Sequence, residues 1–502
     1  MSRFKYALLL HLFLLAGITQ AQSTPPFTTQ QISTFTKELQ ALKNYFKIPG
    51  MAILVKHQGQ TVLEDYLGWA NVAQKRPMNQ NTLVPIASLT KTFTAVLIFK
   101  LVEEGKLSLD DPLRKYFPQQ DFTKKILLKH ILSHTSQGNI GQQFYYSFRF
   151  GALTQVIEKA AGMSFQKYLE KVIIEPLHLT YTRVLTSKKS QQNVAFADPY
   201  QLNQAGKIQA GKVEYGLSAS AGIVSTVRDL AIFNQALDQN VLISPSSKAR
   251  MMQAFGKNLA YGYGIFSQYF MGKKLVWGYG QYDCYSGLYL KIPSQKLTLF
   301  LLANNNLMSD PARLIYGDAT ASLFVLSFLK NFMLNRPQIP LLDPIKTSFT
   351  QAFTKDTQVF YRKQLLANAL AASFMARYDK TQFARSVQLL KQAFAQFPDY
   401  ENYADLNLMH NLLFLKEVAF RRELGPFHTF DTQIKKIGAK LLKAHPQNPY
   451  ANVYMGNFYA RNGKKNLAKP YYEQIVKADN FSRHWYTNAA QSWLKENGFT
   501  KK

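Results

Sequence analysis

Apolar residues recur at helical spacing between Thr29 and Phe46, at Ile32, Phe35, Leu39, Leu42 and Tyr45, and Pro49-Gly50 ends the run. This periodicity predicts an amphipathic helix. Two shorter apolar runs follow, Met51 to Val55 and Thr61 to Leu67. They flank the turn-prone His57-Gln58-Gly59-Gln60 and predict two strands. A helix is predicted from about Ser88 through Ala95, Leu97 and Leu101 to Gly105, a residue suited to a helix end. From about residue 105 to 260 the pattern is mixed, with short helical stretches broken by Gly, Pro and Ser. Three β-branched and aromatic runs then predict strands at Leu275 to Gly280, Tyr285 to Ile292 and Leu297 to Ala303. Ile292-Pro293-Ser294-Gln295-Lys296 reads as a turn between the last two. A long apolar helix is predicted over about Pro311 to Leu334. Strands, then helices, then strands again imply an α/β domain: one antiparallel sheet with helices on both faces, in which both chain ends of the domain meet.

Pro337, Pro340 and Pro344 mark a linker, and beyond it the pattern is helical throughout. Ala451 to Asn480 carries Gly456, Tyr459, Gly463, Ala468 and Tyr472, a spacing that resembles one tetratricopeptide repeat. Leu366 to Pro398 is a weaker second copy, with Ala393 and Pro398 in register. The expected organisation is a signal peptide at 1–21, a first domain at 22–336, a linker at 337–345 and an all-α, repeat-like domain at 346–502. The last is either a packing appendage or a groove for a protein partner.

The signal peptide rests on Arg3 and Lys5, the apolar run Ala7 to Ile18, and Thr19-Gln20-Ala21 as a cleavage site. It implies an exported protein, periplasmic or secreted. The one cysteine, Cys284, excludes an internal disulfide and a cysteine-based metal site. The net charge of +30 is spread along the chain without a nucleic-acid motif. That implies a well-solvated basic surface or attraction to an anionic envelope surface, and no nucleic-acid partner.

The candidate chemistry starts at Ser88-Leu89-Thr90-Lys91. Residues three apart share a helix face, so the Lys91 amine lies beside the Ser88 hydroxyl. A serine needs a neighbour to take its proton, and a lysine can do so when burial lowers its pKa. A helix start also aims N–H groups at a forming oxyanion. Spacing alone is weak, because Ser2/Lys5, Ser164/Lys167, Ser327/Lys330 and Ser492/Lys495 share it. Ser164 reads as a helix N-cap. His130 and His134 share one face of a predicted helix, but no third ligand is near, so they read as structural and no metal or cofactor is expected. Gly262-Tyr263-Gly264 and Asp110-Asp111 read as turns, and no Gly-x-Ser-x-Gly elbow is present.

Context distinguishes Ser88. Pro49-Gly50-Met51-Ala52, Leu83 through Lys91, Gly105-Lys106-Leu107-Ser108-Leu109-Asp110-Asp111-Pro112, His130 through Ser136, and Ala221 through Thr226 with Asp229-Leu230 occur in order. Together, over about residues 30 to 330, they resemble the serine β-lactamase and penicillin-binding superfamily, especially its class C-like esterase and peptidase branch. The resemblance implies a β-lactamase-like sheet with a mostly helical sub-domain, and Ser88 as nucleophile with Lys91 beside it. The family's Tyr-x-Asn falls on Tyr146-Ser147-Phe148, which implies Tyr146 as a proton shuttle whose phenolate is a candidate base; Tyr145 is the alternative register. Phe148 replaces the asparagine. The family's Lys-Thr-Gly or His-x-Gly falls on Gly278-Tyr279-Gly280, so Gly278 replaces the cation that usually holds a substrate carboxylate. The backbone N–H groups of Ser88 and Gln281 would form the oxyanion hole, and Phe148, Gly278, Tyr279 and Gly280 would border substrate. Three functions are implied: a hydrolase of small esters or amides, with D-amino-acid peptides of the cell wall next; a lapsed enzyme that only binds; and a β-lactamase.

Overall fold

The structure, a computed structural model, describes residues 27–120, 125–192, 194–342, 355–478 and 485–499. The expected signal peptide and residues 343–345 of the expected linker lie outside them. The first helix, Thr29–Tyr45, opens on a capping box: Gln31 N–H donates to Thr28 Oγ1 at 3.2 Å, and Thr28 N–H donates to Gln31 Oε1 at 2.7 Å. Its buried stripe holds Phe35, Leu39 and Leu42, the residues that set the sequence period.

The main sheet has seven antiparallel strands. In space they run Arg76–Pro77, Gln60–Asn71, Gly50–His57, Leu297–Ala303, Tyr285–Ile292, Lys273–Tyr282 and Phe266–Phe270. The first long strand pairs with the last, from Met51 opposite Ala303 to His57 opposite Leu297, so the two ends of the domain meet in one sheet. Side chains alternate across it. Ala52, Leu54, Val276, Phe300 and Leu302 join the core around the helix Thr90–Glu103. Met51, Ile53, Val55, Trp277, Leu299 and Leu301 join a second core under Thr29–Tyr45 and Leu323–Phe328.

Two elements differ from the sequence expectation. Phe266–Phe270 is an edge strand that the pattern did not separate from the mixed region before it. The helix expected over Pro311 to Leu334 is instead three short 3₁₀ turns, then Leu323–Phe328 and a π turn at Leu329–Met333. Pro311 removes a donor, and Arg313 and Gly317 adopt φ of 46° and 87°, so an α-helix cannot propagate through them.

Among the described residues after 342 every regular element is helical, from Lys355–Met375 to Trp485–Glu496. Pro449–Arg461 and Lys465–Lys477 pack closely because Gly456 lacks a side chain: a Cβ there would lie 2.8 Å from the Tyr472 ring. This region has its own core, and Tyr145 of the first domain is buried in it. Lys363 ties the two regions together, 2.6 Å from Asp318 and 3.6 Å from Asp405. Among the described residues, no helix is long and apolar enough to cross a membrane.

Candidate active site

Ser88 sits in a 3₁₀ turn, Ala87–Leu89, that feeds directly into the helix Thr90–Glu103. It therefore lies one turn ahead of the α-helix proper, where unpaired N–H groups gather. Nearly every residue of that helix is buried, so its stem is the centre of the larger core. Lys91, 4% exposed, has its Nζ 2.9 Å from Ser88 Oγ and 3.1 Å from the Ser220 carbonyl oxygen. No carboxylate pairs with it among the described residues. Burial alone drives its pKa from the usual 10.5 to about 7. Ser88 itself keeps partial exposure.

Tyr146 closes the group. Its hydroxyl hydrogen-bonds Ser88, and its ring centroid lies 5.0 Å from Lys91 Nζ. Burial pushes this phenol above its usual range. The phenolate base expected from the sequence is thus not the favoured resting form: burying the anion costs more than its hydrogen bond with Ser88 returns. The group poised near neutrality is Lys91. Tyr145, the alternative register, points away and donates to Gln143 Oε1 at 3.1 Å.

His134 was expected on one helix face with His130. That helix ends at Leu132, and His134 stands outside it at φ 54°. It has a different part to play: its ring stacks on Tyr146 with centroids 4.2 Å apart, and its Nδ1 accepts from Ser147 N–H at 3.0 Å. Burial and the neighbouring Lys91 hold its pKa well below the usual value, so the ring is neutral. Among the described residues, no group of three His, Cys, Asp or Glu could hold a metal.

The strand Lys273–Tyr282 forms the other wall. It pairs with Phe266–Phe270 only as far as Trp277, which leaves its edge at 278–282 without a strand neighbour among the described residues and beside the Ser88 turn. Gly280 is required by close approach: a Cβ there would lie 2.0 Å from the Ile86 carbonyl oxygen and 3.3 Å from Ser88 N. A Cβ on Gly278 would meet Leu89 Cδ2 at 3.1 Å, so this position packs on the nucleophile turn and carries no cation. Tyr279 is buried with its ring 6.0 Å from that of Tyr146. Gln281 Nε2 donates to Asp310 Oδ1 at 3.3 Å. Phe148, at 85% exposure, projects outward and supplies no polar group to the site.

Sequence reasoning missed Ser220 and Arg313. Ser220 accepts from Lys91 through its carbonyl, and its hydroxyl is buried without a hydrogen-bond partner among the described residues. Its signal was position, immediately before Ala221-Gly222. Arg313 lies 3.4 Å from Asp310 and close enough to bias Tyr279, which puts one cation near the wall that Gly278 leaves uncharged. Nothing in its local sequence distinguishes it from other surface-type arginines.

Known proteins share this architecture. The chain is 29% identical over 224 residues to a "Beta-lactamase" of Escherichia coli (strain K12), covering 38% of this chain and 56% of that one. It is 26% identical over 263 residues to "Penicillin-binding protein 4*" of Bacillus subtilis (strain 168), covering 42% and 58%. It thus spans little more than half the length of these curated relatives. Among solved structures, an octameric penicillin-binding protein homologue from Pyrococcus abyssi shares the fold at a TM-score of 0.56 and 23% identity, covering 67% of this chain and 81% of that one. The family model described as Beta-lactamase matches residues 39–321, more than half of the chain, so this protein belongs to the β-lactamase and penicillin-binding superfamily.

Proposed function

We propose that the protein is an exported serine hydrolase that works through an acyl-enzyme on small esters or amides, with D-amino-acid peptides of the cell wall next. The observation that carries this reading is the bare amine of Lys91, buried 2.9 Å from Ser88 Oγ with a pKa near neutrality. At neutral pH much of it is unprotonated and able to accept the serine proton. Ser88 Oγ then bonds to the substrate carbonyl carbon, and the carbonyl electron pair moves to oxygen, facing the N–H groups of Ser88 and Gln281. Collapse expels the alcohol or amine, which takes the proton back from Lys91 by way of the Tyr146 hydroxyl. Water repeats the sequence on the acyl-enzyme, frees the acid and restores Ser88.

The uncharged Gly278 and outward Phe148 support substrates without a carboxylate next to the scissile bond over β-lactams. The same two positions favour the second reading, a protein that binds and no longer turns over. A fluorophosphonate or fluorescent-penicillin probe separates them: wild type is expected to label and Ser88→Ala is not. A folded wild type that leaves an active probe untouched would favour the binding role. Nitrocefin turnover would move the assignment to β-lactamase. Export rests on the N-terminal apolar stretch, and a mature chain beginning at Gln22 is the expected outcome of N-terminal sequencing. A protein partner on the helical region and attraction to an anionic envelope surface belong to the same reading.

A further inference from the structure

Tyr145 and Tyr146 are neighbours in the chain and face opposite ways. Tyr146 reaches Ser88, whereas Tyr145 is 3% exposed and buried in the core of the C-terminal helices. Its ring lies 6.4 Å from that of Tyr450, which itself meets Tyr486 edge-on at 5.4 Å. Two polar links run alongside. Gln143 Nε2 is 3.3 Å from His445 Nδ1. Gln137 Nε2 donates to the Tyr486 hydroxyl at 3.4 Å, and Gln137 Oε1 accepts from Ser147 Oγ at 3.0 Å. Ser147 in turn donates its N–H to His134, whose ring stacks on Tyr146. The end of one helix, the first turn of a second and the start of a third therefore hold the segment on both sides of Tyr146.

We propose that the C-terminal helical region is a positioning element of the active site, clamping residues 134–149 so that the Tyr146 hydroxyl stays on Ser88. These helices cover the outward face of the segment: Tyr145 is 3% exposed within their core, and its hydroxyl donates to Gln143, which itself lies 3.3 Å from His445 Nδ1. Without that surface the segment would have to repack, and Tyr146 would move with it. The inference rests on the hydrolase reading, with Tyr145, Tyr450 and Tyr486 acting through Tyr146 and not on substrate.

The test uses the full chain with Tyr145→Ala, Tyr450→Ala and the conservative Tyr145→Phe. Turnover of one ester is measured per serine that a fluorophosphonate labels, so unfolded molecules do not count. Both alanine variants are expected to lose about 10²-fold in kcat, the effect of displacing a catalytic group by about 1 Å, with KM little changed. Tyr145→Phe is expected to restore kcat. Amide hydrogen exchange is expected to quicken over 134–149 and to stay as it was over Thr90–Glu103. Unchanged kcat per labelled serine with unchanged exchange over 134–149 would overturn the inference. So would exchange that quickens equally throughout the chain, since that reports general destabilisation. A wild type that never labels is a failure of the hydrolase reading, and the exchange pattern alone then decides whether the clamp exists.

Discussion

Among the described residues, two Ser-x-x-Lys segments carry a buried lysine, and they do opposite things. At Ser88-Leu89-Thr90-Lys91 the amine hydrogen-bonds two neutral oxygens, those of Ser88 and Ser220, and no carboxylate pairs with it among the described residues. At Ser327-Phe328-Leu329-Lys330 the amine is 2.5 Å from Glu38 Oε1, while Ser327 Oγ and Asn331 Nδ2 donate to Glu38 Oε2 at 2.6 and 2.8 Å. Burial lowers the pKa of both lysines, but at Lys330 the Glu38 charge pulls it back up. At Lys91 nothing does. Spacing places serine beside lysine in both segments; a counter-ion decides whether the amine is a base or half of a structural pair. Burial without a counter-ion disfavours the protonated form of Lys91, so below pH 7 the folded state loses stability on the order of 5 kcal/mol, a cost that fades as pH rises toward 10.5.

The largest effect expected is on turnover. Ser88→Ala should lower kcat by about 10⁴-fold or more in an ester assay, whereas Ser327→Ala should leave kcat intact. Next comes stability. Glu38→Gln strands Lys330 and is expected to cost about 3–5 kcal/mol in urea denaturation without moving the pH profile. Lys91→Met should reverse that sign, abolishing turnover while raising stability below pH 7. Stability itself should climb with pH between about 7 and 10.5, where the unfolded chain still holds the Lys91 proton and the folded protein has released it. kcat/KM should rise through the same lower pKa, since only the unprotonated amine can accept. The smallest effect separates two glycines of one strand. Gly278→Ala asks Leu89 to yield a few tenths of an ångström and should change stability by about 1 kcal/mol. Gly280→Ala drives a methyl into a backbone oxygen and should cost clearly more.

Most of the sheet was legible because its strands carry dense apolar runs bounded by turn residues, and the first helix because Phe35, Leu39 and Leu42 keep a clean period. The helix expected at Pro311 failed because apolar content hid the left-handed conformations at Arg313 and Gly317. Ser88, Lys91 and Tyr146 could be named in advance from ordered motifs, and the structure brings them together. What the sequence left hidden is the protonation logic. The Ser220 carbonyl beside Lys91 and Glu38 beside Lys330 join residues far apart in the chain, and His134 stacks on Tyr146 from outside the helix that its spacing predicted. The same holds for Tyr145, whose burial depends on helices some 300 residues later.

The most direct measurement is the titration of the Lys91 side chain by heteronuclear NMR on the full protein with isotope-labelled lysine. Loss of one resonance in Lys91→Arg makes the assignment. The account expects that resonance to titrate with a midpoint near 7. A Lys91 that holds its proton up to the ordinary lysine range near 10.5 would contradict it, because the amine beside Ser88 would then be a charge and not a base.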